Sequence, residues 1–278
     1  MLDALAAAAQ FALYVGILCA SGGVLARAAL RAGGDAAQTL DVVARYGAIV
    51  TILATLGGVL VLIYRLGGTF DESTLSAVLM SSVGAAGGMR IVGALLLLAT
   101  PAQSGDTFAQ GMRLSYAALL AASFLFIGHA SAAGFAAGLM AAVHVAIAGW
   151  WIASLVAMER VCRAGAGPAV ADIVLRFSRI AVGAIVVLIV AGIVLIATLI
   201  ALPLTLTPYL ATLGVKLGIA LLLFALAAYN KFRLTPGVSR GDAGAVRSLR
   251  IAIDVELALI LGVLIATTLM TTYNAPEG

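Results

Sequence analysis

Charge is what this sequence most lacks. Asp, Glu, Lys and Arg make up only 10% of its 278 residues, where a soluble domain carries about a quarter to cover its surface. Cysteine is nearly absent, so Cys19 and Cys162 cannot form a secreted disulfide scaffold, and no CxxC occurs. Two histidines in total rule out a His-rich metal tract and a di-haem cytochrome with four axial histidines. There is no Walker loop and no GxSxG elbow. The basic excess is +4, and the arginines lie at the ends of apolar runs. Nothing therefore marks nucleic acid as a partner.

What the sequence has instead is hydrocarbon. Apolar residues reach 63% and the mean hydropathy is +1.16. Such a chain cannot cover itself in water, and it reads as an all-α polytopic membrane protein with the lipid bilayer as solvent. The Leu/Ala/Val/Ile runs are unbroken, whereas barrel strands would alternate apolar and polar residues. About 20 apolar residues cross about 30 Å of hydrocarbon. That ruler marks eight spans, near 5–26, 46–65, 78–100, 113–129, 136–158, 179–201, 209–230 and 251–272. Gly84, Gly87, Gly88 and Arg90 interrupt the third, so 73–89 could instead form a re-entrant or surface segment. No Lys or Arg precedes Arg27, which fits a retained first helix better than a cleaved signal. Cys19 follows Leu18 and reads as a buried thiol.

Thirteen of the sixteen basic residues fall in the loops after spans one, three, five and seven, the exceptions being Arg65, Arg90 and Lys216. The positive-inside rule makes those loops cytoplasmic and both termini periplasmic. No loop is long enough for a soluble domain, so residues 1–278 read as a single transmembrane domain.

Residues 81–99 (SSVGAAGGMRIVGALLLLA) align without a gap on 207–225 (TPYLATLGVKLGIALLLFA). Gly88 meets Gly214, and Arg90 meets Lys216. The offset of 126 residues holds four spans. The halves, about 1–130 and 131–278, would share one orientation as a parallel 4+4 repeat, with a functional site at their interface.

Few residues could carry chemistry. Met140, His144 and Trp151 share one helix face at i, i+4 and i+11. Imidazole and thioether suit copper, the thioether favouring Cu(I). The alternative is a histidine that hydrogen-bonds between helices while Met140 packs. His129, in Gly128-His129-Ala130, lies at the outer end of span four, where the alternative is simple solvation. If span five starts near Ala136, His144 lies ~12 Å deeper than His129, too far for a shared metal. If Gly134–Gly138 belongs to the turn, the rings approach. Arg90, Lys216, Asp254 and Glu256 sit inside spans, where a charge costs about 2.5–3.5 kcal/mol and usually pairs or faces a cavity. Arg90 and Lys216 have the alternative of snorkelling, while a short carboxylate such as Glu256 snorkels poorly. A Lys216–Glu256 pair would have to bridge different depths.

Thr207-Pro208-Tyr209, Lys216, the run Tyr229-Asn230-Lys231-Phe232-Arg233-Leu234-Thr235-Pro236, Leu249-Arg250 and Val255-Glu256-Leu257-Ala258-Leu259 resemble the CopD/PcoD copper-resistance membrane proteins. Gly128-His129-Ala130, His144 followed by Trp151, and the Ser81–Arg90 stretch are similar to that family too. The resemblance begins near residue 75. It implies an eight-helix inner-membrane protein of Gram-negative bacteria that moves copper, often beside a small periplasmic CopC-like copper carrier. Ile152 and Leu210 stand where glycine would be typical, and methionine and histidine are sparse.

On this reading the chain is a copper permease or uptake component with no enzymatic turnover. Its cargo is a copper ion of unassigned oxidation state, held by His129, His144 and Met140. Arg90, Lys216, Asp254 and Glu256 would line the path, with Trp151 and Tyr209 beside it. Two alternatives stay open. One is a single b-type haem between His129 and His144; the other is a non-transporting subunit that docks a periplasmic partner through Pro203–Tyr209.

Overall fold

The computed structural model describes residues 1–68, 70–102, 107–127, 134–199 and 207–273. No strand occurs among them. The helices are α1 (Leu2–Leu30), α2 (Gly34–Arg65), α3 (Glu72–Leu79), α4 (Ser82–Ala99) and α5 (Thr107–Ala122), the last closing in a 3-10 turn at Ser123–Leu125. Then come α6 (Phe135–Arg163), α7 (Pro168–Leu199) and α8 (Pro208–Tyr229). A π-helical turn (Asn230–Leu234) joins α8 to the short α9 (Thr235–Ser239), and α10 (Ala243–Thr272) ends the bundle.

Local chemistry explains several of these boundaries. The Ser81 hydroxyl accepts from the Gly84 N–H at 3.3 Å and starts α4. Thr207 caps α8 by accepting from the Leu210 N–H at 3.3 Å, with Pro208 in the first turn where its missing N–H costs nothing. Asp242 accepts from the Gly244 N–H at 2.8 Å and starts α10.

Among the described residues six helices are long and apolar enough to cross a membrane: α1, α2, α4, α6, α7, and α8 with its extension to Ser239. They fit a multi-pass membrane protein. Eight spans were expected. The fourth, at 113–129, falls on α5, which has 16 residues, about 24 Å of helix. The eighth falls on α10, a helix of 30 residues with Arg247, Arg250, Asp254 and Glu256 in its first half. The interruption within 73–89 is a helix boundary, α3 ending and α4 starting at the Ser81 cap. Several helices outrun the apolar stretches that announced them. α7 starts at Pro168 and carries Asp172 and Arg176 in its first turns. Hydropathy measures the stretch that suits lipid, while the backbone hydrogen bonds of a helix continue past it.

α1 is the centre of the packing and touches α2, α5, α6, α7 and α10. Lipid tails give no hydrophobic drive between helices, so close approach relies on small residues. Gly16 lies against Thr51, Gly23 against Leu40 and Ala44, and Gly47 against Cys19 and Ala20, all between α1 and α2. Between α1 and α6, Gly22 meets Gly149 backbone to backbone. Any side chain at Gly22 would push the two helices apart.

Two apolar clusters result, one around Leu13, Ile17, Ala48 and Leu120, the other around Trp151, Met158, Leu223 and Ile253. The first is a closed ring, in which α1 touches α2, α2 touches α4, α4 touches α5 and α5 returns to α1. In the second, α6 touches α7, α8 touches α10 and α10 touches α6, while α7 and α8 barely meet.

Candidate functional site

At one end of the bundle several of the basic residues are paired. Asp41 on α2 lies between Arg27 of α1 and Arg113 of α5, with Arg113 Nη1 3.0 Å from Asp41 Oδ1. Arg176 of α7 donates to the Leu30 carbonyl at 3.2 Å. Lys231 donates to both the carbonyl and the hydroxyl of Ser178 at 3.0 Å. The Arg65–Asp3 pair, at 2.6 Å, ties the opposite end. These groups are anchored, and they fix helix ends.

Arg90 is buried in the first ring and satisfied there. Its Nε donates to Ser123 Oγ at 3.0 Å, and its guanidinium lies over the Phe124 ring at 5.4 Å. Tyr14 stacks on Phe124 with the ring centroids 6.3 Å apart. A cation–π contact and a hydroxyl acceptor together hold the charge away from lipid.

The second group of helices differs. Glu256 of α10 is only 2% exposed. Its Oε1 accepts from Asn230 Nδ2 at 2.6 Å and its Oε2 from Trp151 Nε1 at 3.5 Å. No described cation lies within ion-pair distance of it, since the ion pairs found involve only Asp3, Asp41, Glu159 and Asp172. Asn230 reaches Glu256 from the π turn. Pro236 offers no N–H to the carbonyl four residues back, so the ladder slips by one residue. The Thr235 hydroxyl donates to the Asn230 carbonyl at 3.0 Å and stabilises the slip. One atom is left over, because Asn230 Oδ1 is buried without a hydrogen-bond partner.

These residues floor a cavity of about 390 Å³ in the crevice between α7 and α8. Trp151, Phe177, Phe224 and Ile253 form its walls, and Val182 and Val186, both exposed, form its outer lip. The Trp151 ring meets Phe177 edge-on at 6.2 Å and Phe224 at 6.1 Å.

His144 stands seven residues before Trp151 on α6, about 10 Å along the axis. Its ring faces the Leu188 carbonyl of α7 and lies within electrostatic reach of Lys216 on α8. A Cβ on Gly192 would lie 3.8 Å from His144 Cε1. His144 Nδ1 is buried and has no hydrogen-bond partner. Met140 is half-buried one turn before it.

The expected site residues therefore separate. His144 and Lys216 come near one another, and Trp151 joins Glu256. Glu256 binds Asn230 and Trp151, not Lys216. Asp254 is exposed on a different face of α10, and Tyr209 is half-buried at the start of α8. Arg90 belongs to the other ring. His129, and most of the Pro203–Tyr209 stretch, lie outside the described residues. Among the described residues no three His, Cys, Asp or Glu side chains group as a metal site. Sequence reasoning missed Asn230, Phe177, Phe224 and the Asp41 cluster. An Asn and an Asp within apolar surroundings were the readable signals for two of them.

Residues 171–270 match the family model CopD, Copper resistance protein D. The match covers nearly all of α7, all of α8 and most of α10, hence every wall of the crevice except the α6 side. It supports the CopD copper-resistance family, an inner-membrane family. No curated protein and no solved structure matches the chain.

Proposed function

We propose that this chain, with its CopD-type C-terminal part, carries copper ions across the bacterial inner membrane without catalytic turnover, beside a periplasmic CopC-like carrier. The observation that carries the reading is His144, an imidazole inside the bundle whose buried Nδ1 has no partner. A free imidazole nitrogen beside a thioether is a soft donor set that suits copper, and Cu(I) in particular. Met140 supplies the thioether one turn away, and His129 would receive the ion at the periplasmic face. Lys216 would oppose a cation resting beside His144, which favours passage over retention. Glu256 lies deeper in the same half, toward the basic end.

The supporting architecture is eight spans, with α5 and α10 completing the six, both termini periplasmic, and a parallel 4+4 repeat. Gly22 and Gly149 favour the repeat. They are 127 residues apart, close to the 126-residue offset of the sequence repeat, and they touch each other across α1 and α6. The 126-residue offset makes Gly23 the equivalent of Gly149, and near-equivalent positions come together in this way beside a two-fold axis along the membrane normal. The same correspondence relates Arg90 on α4 to Lys216 on α8.

The test is copper accumulation in cells expressing the wild-type chain, His144→Ala or His129→Ala. Accumulation should fall several-fold in both variants at equal membrane levels. Unchanged accumulation in both would remove these residues from the path.

A further inference from the structure

The crevice between α7 and α8 has a chemistry that copper does not explain. Its lining is mostly apolar and includes four aromatic residues, Trp151, Phe177, Phe224 and Phe232, with Asn230 and Glu256 among its few polar groups. There a buried carboxylate has two hydrogen-bond donors but no described cation, and Asn230 Oδ1, on a residue only 7% exposed, has no partner. Carboxylate and amide oxygens are hard acceptors, which suit N–H or O–H donors better than a soft metal. Aromatic faces attract organic cations, most strongly where water is excluded.

We propose that this crevice is a binding site for a small lipophilic amine in its protonated form. The ammonium would sit on the floor, donating to Asn230 Oδ1 and Glu256, with the rings of Trp151, Phe177 and Phe224 around it. Its hydrocarbon body would lie between α7 and α8. Several features select this ligand over others. A carboxylate ligand would meet Glu256 as a like charge. A neutral alcohol could satisfy Asn230 but would gain nothing from the rings or from the uncompensated carboxylate. At about 390 Å³ the cavity lies near the lower end of small-molecule sites, so a single short chain fits better than a two-tailed lipid. The exposed lip at Val182 and Val186 lets the ligand enter sideways from lipid. Lys231, the one cation among the described lining residues, is held by two hydrogen bonds to Ser178 of α7 and makes no ion pair with Glu256. This site does not depend on the copper reading.

The protein carries its own reporter, because Trp151 lines the site and Trp150, the other tryptophan, stacks on the lining residue Phe177. The full-length chain in lipid nanodiscs, with a chelator present to remove copper, is titrated with n-octylamine, n-octanol or n-octanoate at neutral pH. These probes share a chain and differ in head charge. Octylamine should give a saturable change in tryptophan emission, with octanol at least about tenfold weaker and octanoate inert. Glu256→Gln, which keeps the shape of the side chain, should reduce octylamine to the level of octanol. Phe224→Leu keeps the apolar volume and both reporters. It should weaken octylamine several-fold and leave octanol unchanged, which preserves the test if Glu256→Gln does not fold. Equal affinity for octylamine and octanol would overturn the proposal. So would octylamine binding that is unaffected in a folded Glu256→Gln protein, or in Phe224→Leu.

Discussion

The two halves of the bundle put four helices each to opposite ends. In the first, α1, α2, α4 and α5 close into a ring and every buried charge finds a partner. Asp41 sits between two arginines, and Arg90 has Ser123 and the Phe124 ring. In the second, α6, α7, α8 and α10 leave one seam open, and beside it lie His144 Nδ1 and Asn230 Oδ1 without a hydrogen-bond partner and Glu256 without a described cation, whereas the unbonded atoms of the first half, on Arg27, Asp41 and Arg113, belong to groups already ion-paired. Membrane interiors penalise such atoms, since no water can serve them. We read the open half as the working one and the half that pairs its charges as scaffold. The CopD match at 171–270 falls in the open half.

The largest expected effect lies in the scaffold. Asp41→Ala would strand the buried guanidinium of Arg113 and leave Arg27 unpaired, at a cost of about 3–5 kcal/mol. Thermal unfolding of the detergent-solubilised chain, followed by circular dichroism, reads this directly, and a loss under 1 kcal/mol would mean that the ring does not depend on its ion cluster. Next comes one substitution made in both halves. Ala94→Phe enters the closed ring at a site with no exposure and should destabilise by about 1–3 kcal/mol through overpacking. Ala181→Phe points into the crevice and should cost clearly less, while abolishing octylamine binding. Equal losses would erase the distinction between the halves. The smallest effect is expected for Glu256→Gln, which keeps the side chain's shape and its bond from Asn230 and loses the long hydrogen bond from Trp151, about 0.5–1.5 kcal/mol. A larger loss would show that the Glu256 contact organises the whole α6–α10 seam.

The sequence revealed the helices well and their limits poorly. Long apolar runs favour helices in lipid, and each expected span falls on helix among the described residues, although only six of these helices are long and apolar enough to cross. Polarity alone could not show that α5 closes in a 3-10 turn at Ser123, or that α7 extends back to Pro168. Arg90, Lys216 and Glu256 stood out because charges are rare in apolar runs, and His144 because histidine is rare in the whole chain. Their partners did not stand out. Trp151 and Glu256 are 105 residues apart, and Arg90 and Ser123 are 33 apart, and no local pattern encodes contacts at that range. Asn230 reaches Glu256 only because the helix slips at Pro236, a backbone event with no periodic signature. The open seam between α7 and α8 is an absence of contact, which composition cannot express.

The central claim is that copper passes through the open half by way of His144. The most direct measurement is copper uptake into proteoliposomes that hold the purified full-length chain, comparing wild type with His144→Ala and Cys19→Ala. Cys19 supplies the control, a soft thiol on α1 in the closed half. Uptake should persist in Cys19→Ala and fall to the level of empty liposomes in His144→Ala. Uptake lost in Cys19→Ala but intact in His144→Ala would contradict the assignment and move the route to the other half of the bundle.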